Sequence, residues 1–124
     1  MAKVLIIDDL PDYANSLKYA LKDEFKVETA FNLEEAKGKT KDDIDIFLVD
    51  IRLDEKNTAN YDGIVFLEWV KKIYPDKPVI LMSGYTEYMT KKEEIINKGA
   101  ACFMKKPIFV SDLKEKLKEL TILP

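Results

Sequence analysis

Residues 4–9 of the chain read VLIIDD, four consecutive apolar residues followed by two aspartates. A short, unbroken apolar run is typical of a strand that is buried on both faces of a parallel sheet. The run IFLVD at residues 46–50 has the same form and also ends in an aspartate, and further apolar runs occupy residues 79–82 and 101–104. The sequence therefore predicts several buried strands, two of which end in carboxylates.

Helix signals lie between these strands. Pro11 favours the first turn of a helix, and residues 32–35 and 90–93 both resemble capping boxes. Gly99 is placed to end the helix that follows the second capping box, and Ser111 can cap a last helix. Strands and helices are therefore expected to alternate along the whole chain.

The residues 26–30 alternate between polar and apolar side chains, which indicates a partly exposed edge strand. No linker or change of composition interrupts the chain, so residues 1–124 are predicted to form one domain. Alternating strands and helices predict an α/β fold with a mostly parallel sheet and helices on both faces. In such doubly wound folds the ligand site lies beyond the carboxyl ends of the strands.

The composition excludes several classes of site. The chain has 124 residues, a net charge of −3, no histidine and one cysteine, Cys102. A histidine-containing catalytic triad, a histidine-ligated zinc and a disulfide framework are therefore excluded. The acidic balance argues against direct nucleic-acid binding, and no apolar run has the length of a membrane span. We expect a cytoplasmic protein without a membrane partner.

Polar side chains follow the strands at the edge where a ligand is expected. Asp8 and Asp9 follow the first strand, Asp50 ends the third, Ser83 follows the fourth, and Lys106 follows the fifth. Clustered carboxylates without histidine or cysteine favour a hard cation, Mg²⁺ above all. An acid cluster with a hydroxyl and a lysine is suited to a phosphoryl group carried on an aspartate.

These residues resemble the receiver domain of two-component response regulators, a family that includes the single-domain chemotaxis regulators. The resemblance covers essentially the whole chain and rests on Asp8, Asp9, Asp50, Ser83, Gly84, Gly99, Ala100, Phe103, Lys106 and Pro107. It implies a flavodoxin-like fold with a five-stranded parallel sheet in the order 2-1-3-4-5.

The resemblance also implies roles for individual residues. Asp50 would be the phosphoacceptor in a Mg²⁺-dependent reaction, with Asp9 and Asp50 as direct metal ligands. Asp8 would act through water, and the backbone carbonyl of Arg52 would be a further ligand. Lys106 would pair with the phosphoryl oxygens. The domain would then be no enzyme in the usual sense, because it would catalyse only its own phosphorylation and dephosphorylation.

The switch and the partners follow from the same resemblance. Ser83 would hydrogen-bond to the phosphoryl group, and Phe103 would turn inward as Ser83 moves. The phosphoryl donor would be a sensor histidine kinase, a phosphotransfer protein or a small phosphodonor. An effector would bind the face formed by the fourth helix, the fifth strand and the fifth helix. The peptide bond between Lys106 and Pro107 is expected to be cis.

The segment after Asp50 departs from a compact receiver. Residues 53–61 form an extra stretch, interpreted as polar, that begins near the phosphoacceptor. We expect this loop either to restrict access to the acyl phosphate or to be an inert surface elaboration. Arg52 and Tyr85 would lie at the rim of the site. In the family, residues at such positions influence how long the acyl phosphate survives.

Two other functions are also considered for this sequence. One is a receiver-like interaction module that is never phosphorylated, although such a module would normally have lost its acids or its lysine. The other is a small Mg²⁺-dependent aspartyl-phosphate phosphatase of the haloacid dehalogenase type. Such phosphatases carry an Asp-x-Asp motif after the first strand, whereas Asp8 and Asp9 are adjacent here.

Overall fold

The sheet has five parallel strands in the order β2-β1-β3-β4-β5. The structure is a computed structural model that describes residues 1–54, 56–85 and 91–121. Its strands are β1 (Lys3–Ile7), β2 (Lys26–Ala30), β3 (Ile46–Asp50), β4 (Val79–Ser83) and β5 (Cys102–Lys105). The predicted strand order and the predicted edge position of residues 26–30 are confirmed.

A helix follows each strand. The described residues form α1 (Pro11–Leu21), α2 (Leu33–Lys39), α3 (Asp62–Ile73), α4 (Lys92–Ile96) and α5 (Val110–Thr121). Leu17, Leu113 and Leu117 pack α1 and α5 on one face of the sheet, where β1 contributes Val4 and Ile6. The side chains of a strand alternate between its two faces, so the neighbouring strand positions face α2, α3 and α4.

The second face contains a pair of packed phenylalanine rings. Phe47 of β3 and Phe66 of α3 are fully buried, and their rings meet edge to face with centroids 5.5 Å apart. Ala36 of α2 and Ile95 of α4 pack into the same cluster. Both faces of the sheet are thus covered, which explains why the central strands are apolar throughout.

Local signals account for several helix ends. The Asn32 side chain accepts a hydrogen bond from the Glu35 N–H at 2.8 Å, as the capping box predicts. The Glu35 side chain accepts in turn from the N–H of Phe31 at 2.9 Å, one residue before the cap. Gly99 has a φ of 117°, a conformation that favours glycine, in the turn after α4.

Of two other predicted helix caps, one is not observed and one lies outside the described residues. Ser111 was expected to cap the last helix, but α5 begins at Val110, so Ser111 is its second residue. Helix ends are commonly displaced by a residue or so from local sequence signals, and here Phe109 precedes the helix. The predicted cap at Thr90 lies outside the described residues.

No helix in the part of the chain that the structure describes has the length and hydrophobicity needed to cross a membrane.

Candidate functional site

The ends of β1 and β3 bring Asp8 and Asp50 to the same level of the sheet. The two strands pair in register up to Ile7 and Val49, the residues that immediately precede these aspartates. The Asp8 N–H donates to the carbonyl oxygen of Ala30 at 3.0 Å, which holds the chain beyond β1 against the edge strand. Parallel pairing therefore places both carboxylates at the edge of the sheet that the sequence analysis identified.

Asp9 completes a cluster of three carboxylates. One oxygen from each of Asp8, Asp9 and Asp50 lies within 4.8 Å of the other two. Asp8 is fully buried, Asp50 is 1% exposed and Asp9 is half-buried. Buried carboxylates at such distances repel one another strongly unless a positive charge lies among them.

Lys106 supplies that charge. Its Nζ lies 2.8 Å from Asp8 Oδ2 and 3.2 Å from Asp50 Oδ2. The Lys106 N–H donates to the carbonyl oxygen of Ser83 at 2.9 Å, and the peptide bond to Pro107 is cis, as predicted. Lys105, which precedes it, is exposed. The structure therefore brings Lys106 into the acid cluster and leaves its neighbour outside.

The lysine does not fully offset the cost of burying Asp50. Burial raises the pKa of the Asp50 carboxyl from 3.8 to about 7, against the opposing effect of the Lys106 ammonium. The carboxylates of Asp8 and Asp9 also raise it. Burial alone would lower the pKa of Lys106, but the carboxylates of Asp50 and Asp8 outweigh it, so that this pKa is raised. The ammonium is therefore charged, and the cluster retains excess negative charge.

The cluster suits a divalent cation. When all four groups are ionised, the carboxylates of Asp8, Asp9 and Asp50 and the Lys106 ammonium carry a net charge of −2. The candidate ligand atoms are all carboxylate oxygens. Mg²⁺ prefers such ligands, whereas Zn²⁺ and Cu²⁺ are commonly bound by nitrogen or sulfur. The donor set therefore fits Mg²⁺ in both charge and chemistry.

Ser83 and Phe103 lie on the neighbouring strands. Ser83 is fully buried at the end of β4, and its Oγ accepts a hydrogen bond from the Tyr85 N–H at 3.0 Å. Phe103 of β5 is 7% exposed and belongs to the same core cluster as Ile95 of α4. Its ring is therefore already buried, so the predicted inward rotation would require a second conformation in which the ring is exposed.

Arg52 and Tyr85, the two rim positions, are in contact. The Arg52 guanidinium lies over the Tyr85 ring at 4.0 Å from its centroid, in a cation–π arrangement. Arg52 is 6% exposed. This stack joins the segment after β3 to the segment after β4. The proposed role of the Arg52 carbonyl as a metal ligand stays a prediction.

Asp50 is only 1% exposed but lines an opening at the surface. This opening is a cavity of about 280 Å³ that is lined by Leu10, Asp50, Gly84, Tyr85 and Lys106. Asp50 is the last residue of β3, and the other four come from the segments that follow β1, β4 and β5. The opening is therefore formed at the carboxyl ends of the strands, where the fold places ligand sites.

The described part of the loop after Asp50 runs elsewhere. Thr58, Ala59 and Tyr61 line a separate cavity with residues of the α4 segment, and none of the described loop residues lines the opening over Asp50. Leu53, which the sequence analysis assigned to a polar stretch, is 6% exposed and belongs to the core. Its apolar side chain explains the difference. The Oδ1 of Asn60 accepts from the N–H groups of Leu53 and Asp62, both at 3.0 Å, and so closes the loop.

Gly63 is a site residue that the sequence analysis did not identify. A Cβ at this position would overlap the carbonyl oxygen of Asp50 and would lie 2.7 Å from the Cα of Ile51. The Gly63 N–H donates to the Ile51 carbonyl oxygen at 2.9 Å. The available signal was a glycine directly before Ile64, Leu67 and Val70, which have helical spacing, because glycine is unfavourable in a helix unless close packing requires it.

Comparison with known proteins agrees with this geometry. The sequence model of the response regulator receiver domain matches residues 4–118. This chain belongs to the response regulator receiver domain family. It is thus a receiver domain of two-component signalling systems, and its fold is that of the CheY-like, flavodoxin-like receivers.

Individual relatives share the domain at moderate identity. A protein of Rickettsia bellii whose name describes an NtrX-like response regulator is 36% identical over 106 residues, which is 84% of this chain and 21% of that protein. A CheY-like receiver domain from Methanospirillum hungatei superposes with a TM-score of 0.80 at 29% identity, covering 96% of this chain and 92% of the other. The receiver domain of NtrX from Brucella abortus gives a TM-score of 0.81 at 26% identity, covering 95% and 97%.

The receiver domain spans 19% to 25% of the length of the curated relatives that it matches. Receiver domains bind Mg²⁺ in an acidic pocket, and the cluster of Asp8, Asp9 and Asp50 is a pocket of that kind.

Proposed function

We propose that Asp50 of this receiver domain accepts a phosphoryl group and that the phosphorylated domain signals through a change of conformation. The observation that carries the proposal is the position of the Asp50 carboxylate. It lies 3.2 Å from the Lys106 ammonium, within the acid cluster, and beneath an opening to solvent. A nucleophile, a charge for the phosphoryl oxygens and an entry path therefore occur together.

In the proposed reaction an oxygen of ionised Asp50 attacks the phosphorus of a phosphohistidine or of a small phosphodonor such as acetyl phosphate. One oxygen–phosphorus bond forms, and the bond between phosphorus and the donor breaks with its electron pair leaving on the donor. Hydrolysis of the acyl phosphate by water restores the carboxylate and releases inorganic phosphate. In this proposal the Lys106 ammonium stabilises the charge on the phosphoryl oxygens.

Asp8, Asp9 and Asp50 are the residues that would hold Mg²⁺. When bound, the ion supplies positive charge to the transferred phosphoryl group and offsets repulsion from the carboxylates. The Lys106 ammonium, which contacts Asp8 and Asp50 in the resting domain, would exchange these contacts for the phosphoryl oxygens. This exchange of partners explains why a lysine that pairs with two acids in the resting domain can still bind a phosphoryl group.

The switch and the partner surface belong to the same proposal. A phosphoryl group on Asp50 adds strong hydrogen-bond acceptors near Ser83, whose Oγ accepts from Tyr85 in this structure. When Ser83 donates a hydrogen bond to the phosphoryl group, its bond with the Tyr85 N–H changes, and this favours a rearrangement of the segment after β4. We infer that an effector reads this change on the face formed by α4, β5 and α5, and that a sensor histidine kinase or a phosphotransfer protein supplies the phosphoryl group.

Intact-mass spectrometry tests the central step. The domain is incubated with acetyl phosphate and Mg²⁺, and the expected result is the added mass of one phosphoryl group. Asp50→Asn should remain unmodified, whereas Asp12→Asn, which removes an exposed acid at the same end of the sheet, should be modified like the wild type. Unmodified wild type, or equal modification of Asp50→Asn, would contradict the assignment.

A further inference from the structure

Tyr13 connects α1 to the segment that follows β5. It is the third residue of α1 and is half-buried, with its ring packed against the core cluster on the α1 and α5 face. Its hydroxyl oxygen accepts a hydrogen bond from the Ile108 N–H at 3.0 Å. The ring is therefore fixed by packing on one side and by this hydrogen bond at its far end.

The same ring faces the ammonium of Lys106. The Nζ lies 4.6 Å from the centroid of the Tyr13 ring, within the usual range of a cation–π contact. Asp8 and Asp50 contact the same Nζ at 2.8 and 3.2 Å. The ammonium thus has two carboxylate contacts and one aromatic contact.

A phosphoryl group on Asp50 would affect the carboxylate contacts and the aromatic contact of Lys106 differently. The proposed reaction replaces the carboxylate contacts of Lys106, because its ammonium moves to the phosphoryl oxygens. The contact with the Tyr13 ring can persist, since the ring belongs to neither the acid cluster nor the transferred group. A lysine side chain has four flexible carbons, so a persistent contact restricts where its ammonium can lie.

We propose that Tyr13 is a positioning residue whose ring holds the Lys106 ammonium over Asp50 when the phosphoryl group binds. The proposal rests on the proposed function of Asp50. The hydroxyl of Tyr13 contributes indirectly, because its bond to Ile108 keeps the ring in place beside the segment that carries Lys106.

A second tyrosine on α1 provides a matched control. Lys22 lies over the ring of Tyr19 at 4.1 Å from its centroid. Tyr19 is 72% exposed, and Lys22, the residue that follows α1, is exposed as well. Tyr19→Leu therefore removes the same kind of contact from the same helix without touching the site.

The test compares two affinities in the full chain. Mg²⁺ alone probes the carboxylates, and beryllofluoride with saturating Mg²⁺ probes the phosphoryl position, both followed by NMR. Tyr13→Leu should weaken beryllofluoride binding about five- to tenfold, the range expected for a partly desolvated cation–π contact. Mg²⁺ binding should change by less than about twofold, because Tyr13 contacts Lys106 and not the carboxylates. Tyr13→Phe keeps the ring and should retain most of the beryllofluoride affinity.

A double variant assigns the effect to Lys106. In a Lys106→Met background, Tyr13→Leu should cause no further loss of beryllofluoride binding. If Tyr13→Leu does not fold, as judged by circular dichroism, Tyr13→Met replaces it, since methionine fills similar space without an aromatic face.

Several results would overturn the proposal. Equal losses in Tyr13→Phe and Tyr13→Leu would show that the ring is not responsible, and parallel losses of Mg²⁺ and beryllofluoride binding would indicate general loosening. A loss of beryllofluoride affinity in Tyr19→Leu as large as that in Tyr13→Leu would likewise indicate general loosening. Absence of beryllofluoride binding in the wild type would instead contradict the function proposed for Asp50, and with it the role of Tyr13.

Discussion

Gly63 packs directly against the carbonyl group of Asp50, with no room for a side chain between them. Gly63 is the second residue of α3, so the start of this helix lies against the backbone of the proposed phosphoacceptor. Any side chain at Gly63 must displace either α3 or the end of β3. The position of the Asp50 carboxylate therefore depends on a residue that has no functional group.

Gly63→Ala is expected to lower the free energy of unfolding by about 3 kcal/mol or more, because backbone atoms cannot yield as a flexible side chain can. It should also slow phosphorylation by acetyl phosphate. Gly38→Ala is the control, since no atom lies within 4 Å of a Cβ there and Gly38 is in α2. That variant should be more stable by roughly 0.5–1 kcal/mol. Urea unfolding measures both, and similar stabilities of the two variants would contradict the packing argument.

The raised pKa of Asp50 predicts a dependence of stability on pH in metal-free buffer. The folded-state pKa of about 7 exceeds the ordinary value of 3.8, so folding favours the protonated carboxyl. Stability from this group is fully present below pH 3.8 and is lost as the pH rises through about 7. Its loss at higher pH amounts to at most about 4 kcal/mol.

Asp50→Asn removes this titration while keeping the shape of the side chain. The variant should therefore be more stable than the wild type at pH 8, and the difference should shrink towards pH 5. Urea unfolding with EDTA at both pH values provides the measurement. A lower stability of the variant at pH 8 would mean that the Asp50 carboxylate is a structural partner of Lys106.

Mg²⁺ binding is expected to depend on Asp9. Asp9→Asn should weaken binding at least about tenfold, since loss of even an indirect partner of a metal site commonly has this effect. Chemical shift titration with Mg²⁺ measures the affinity, and Mg²⁺ should also raise the thermal midpoint of the wild type. Asp12→Asn, on the exposed surface of α1, should bind Mg²⁺ like the wild type. Equal binding by Asp9→Asn would remove Asp9 from the metal site.

The signalling face should respond to a phosphoryl mimic. Beryllofluoride with Mg²⁺ is expected to shift the NMR signals of Ser83 and Tyr85, because the hydrogen bond between Ser83 Oγ and Tyr85 N–H must change when Ser83 becomes a donor to the mimic. Residues 92–96 and Phe103 should follow, since Ile95 and Phe103 share one core cluster. Asp50→Asn is the control and should show none of these changes. Changes confined to α1 and α2 would rule out the proposed face.

The loop after Asp50 is expected to affect partners more than hydrolysis. Its described residues line a cavity beside α4 and leave the opening over Asp50 to other segments. Deleting residues 55–59 should therefore change the decay of the phosphorylated domain by less than about twofold. Phosphorylation by a histidine kinase should be more sensitive than phosphorylation by acetyl phosphate.

Tyr85→Ala is the comparison for the loop deletion, because Tyr85 both lines the opening and stacks on Arg52. It should alter the decay rate more than the deletion does. A larger change of decay in the loop variant would show that the loop reaches the acyl phosphate.

The alternation of apolar runs with helix signals was sufficient to predict the α/β class, because strand and helix periodicities are local properties of the sequence. The acids and the lysine at the strand ends could be predicted in the same way. Parallel strands carry their carboxyl ends to one edge, so residues far apart in sequence meet there. The strand order, by contrast, came from the resemblance to receivers, since periodicity does not specify which strands pair.

Which side chains touch near that edge depends on the tertiary structure and could not be predicted from the sequence. The ring of Tyr13 lies over Lys106, and Gly63 lies against Asp50, but neither pair has a spacing or a pattern that identifies it in the sequence. The contact of Arg52 with Tyr85 and the direction of the loop towards α4 have the same origin. Such contacts depend on how helices pack on the sheet, and packing is set by the shapes of many distant side chains together.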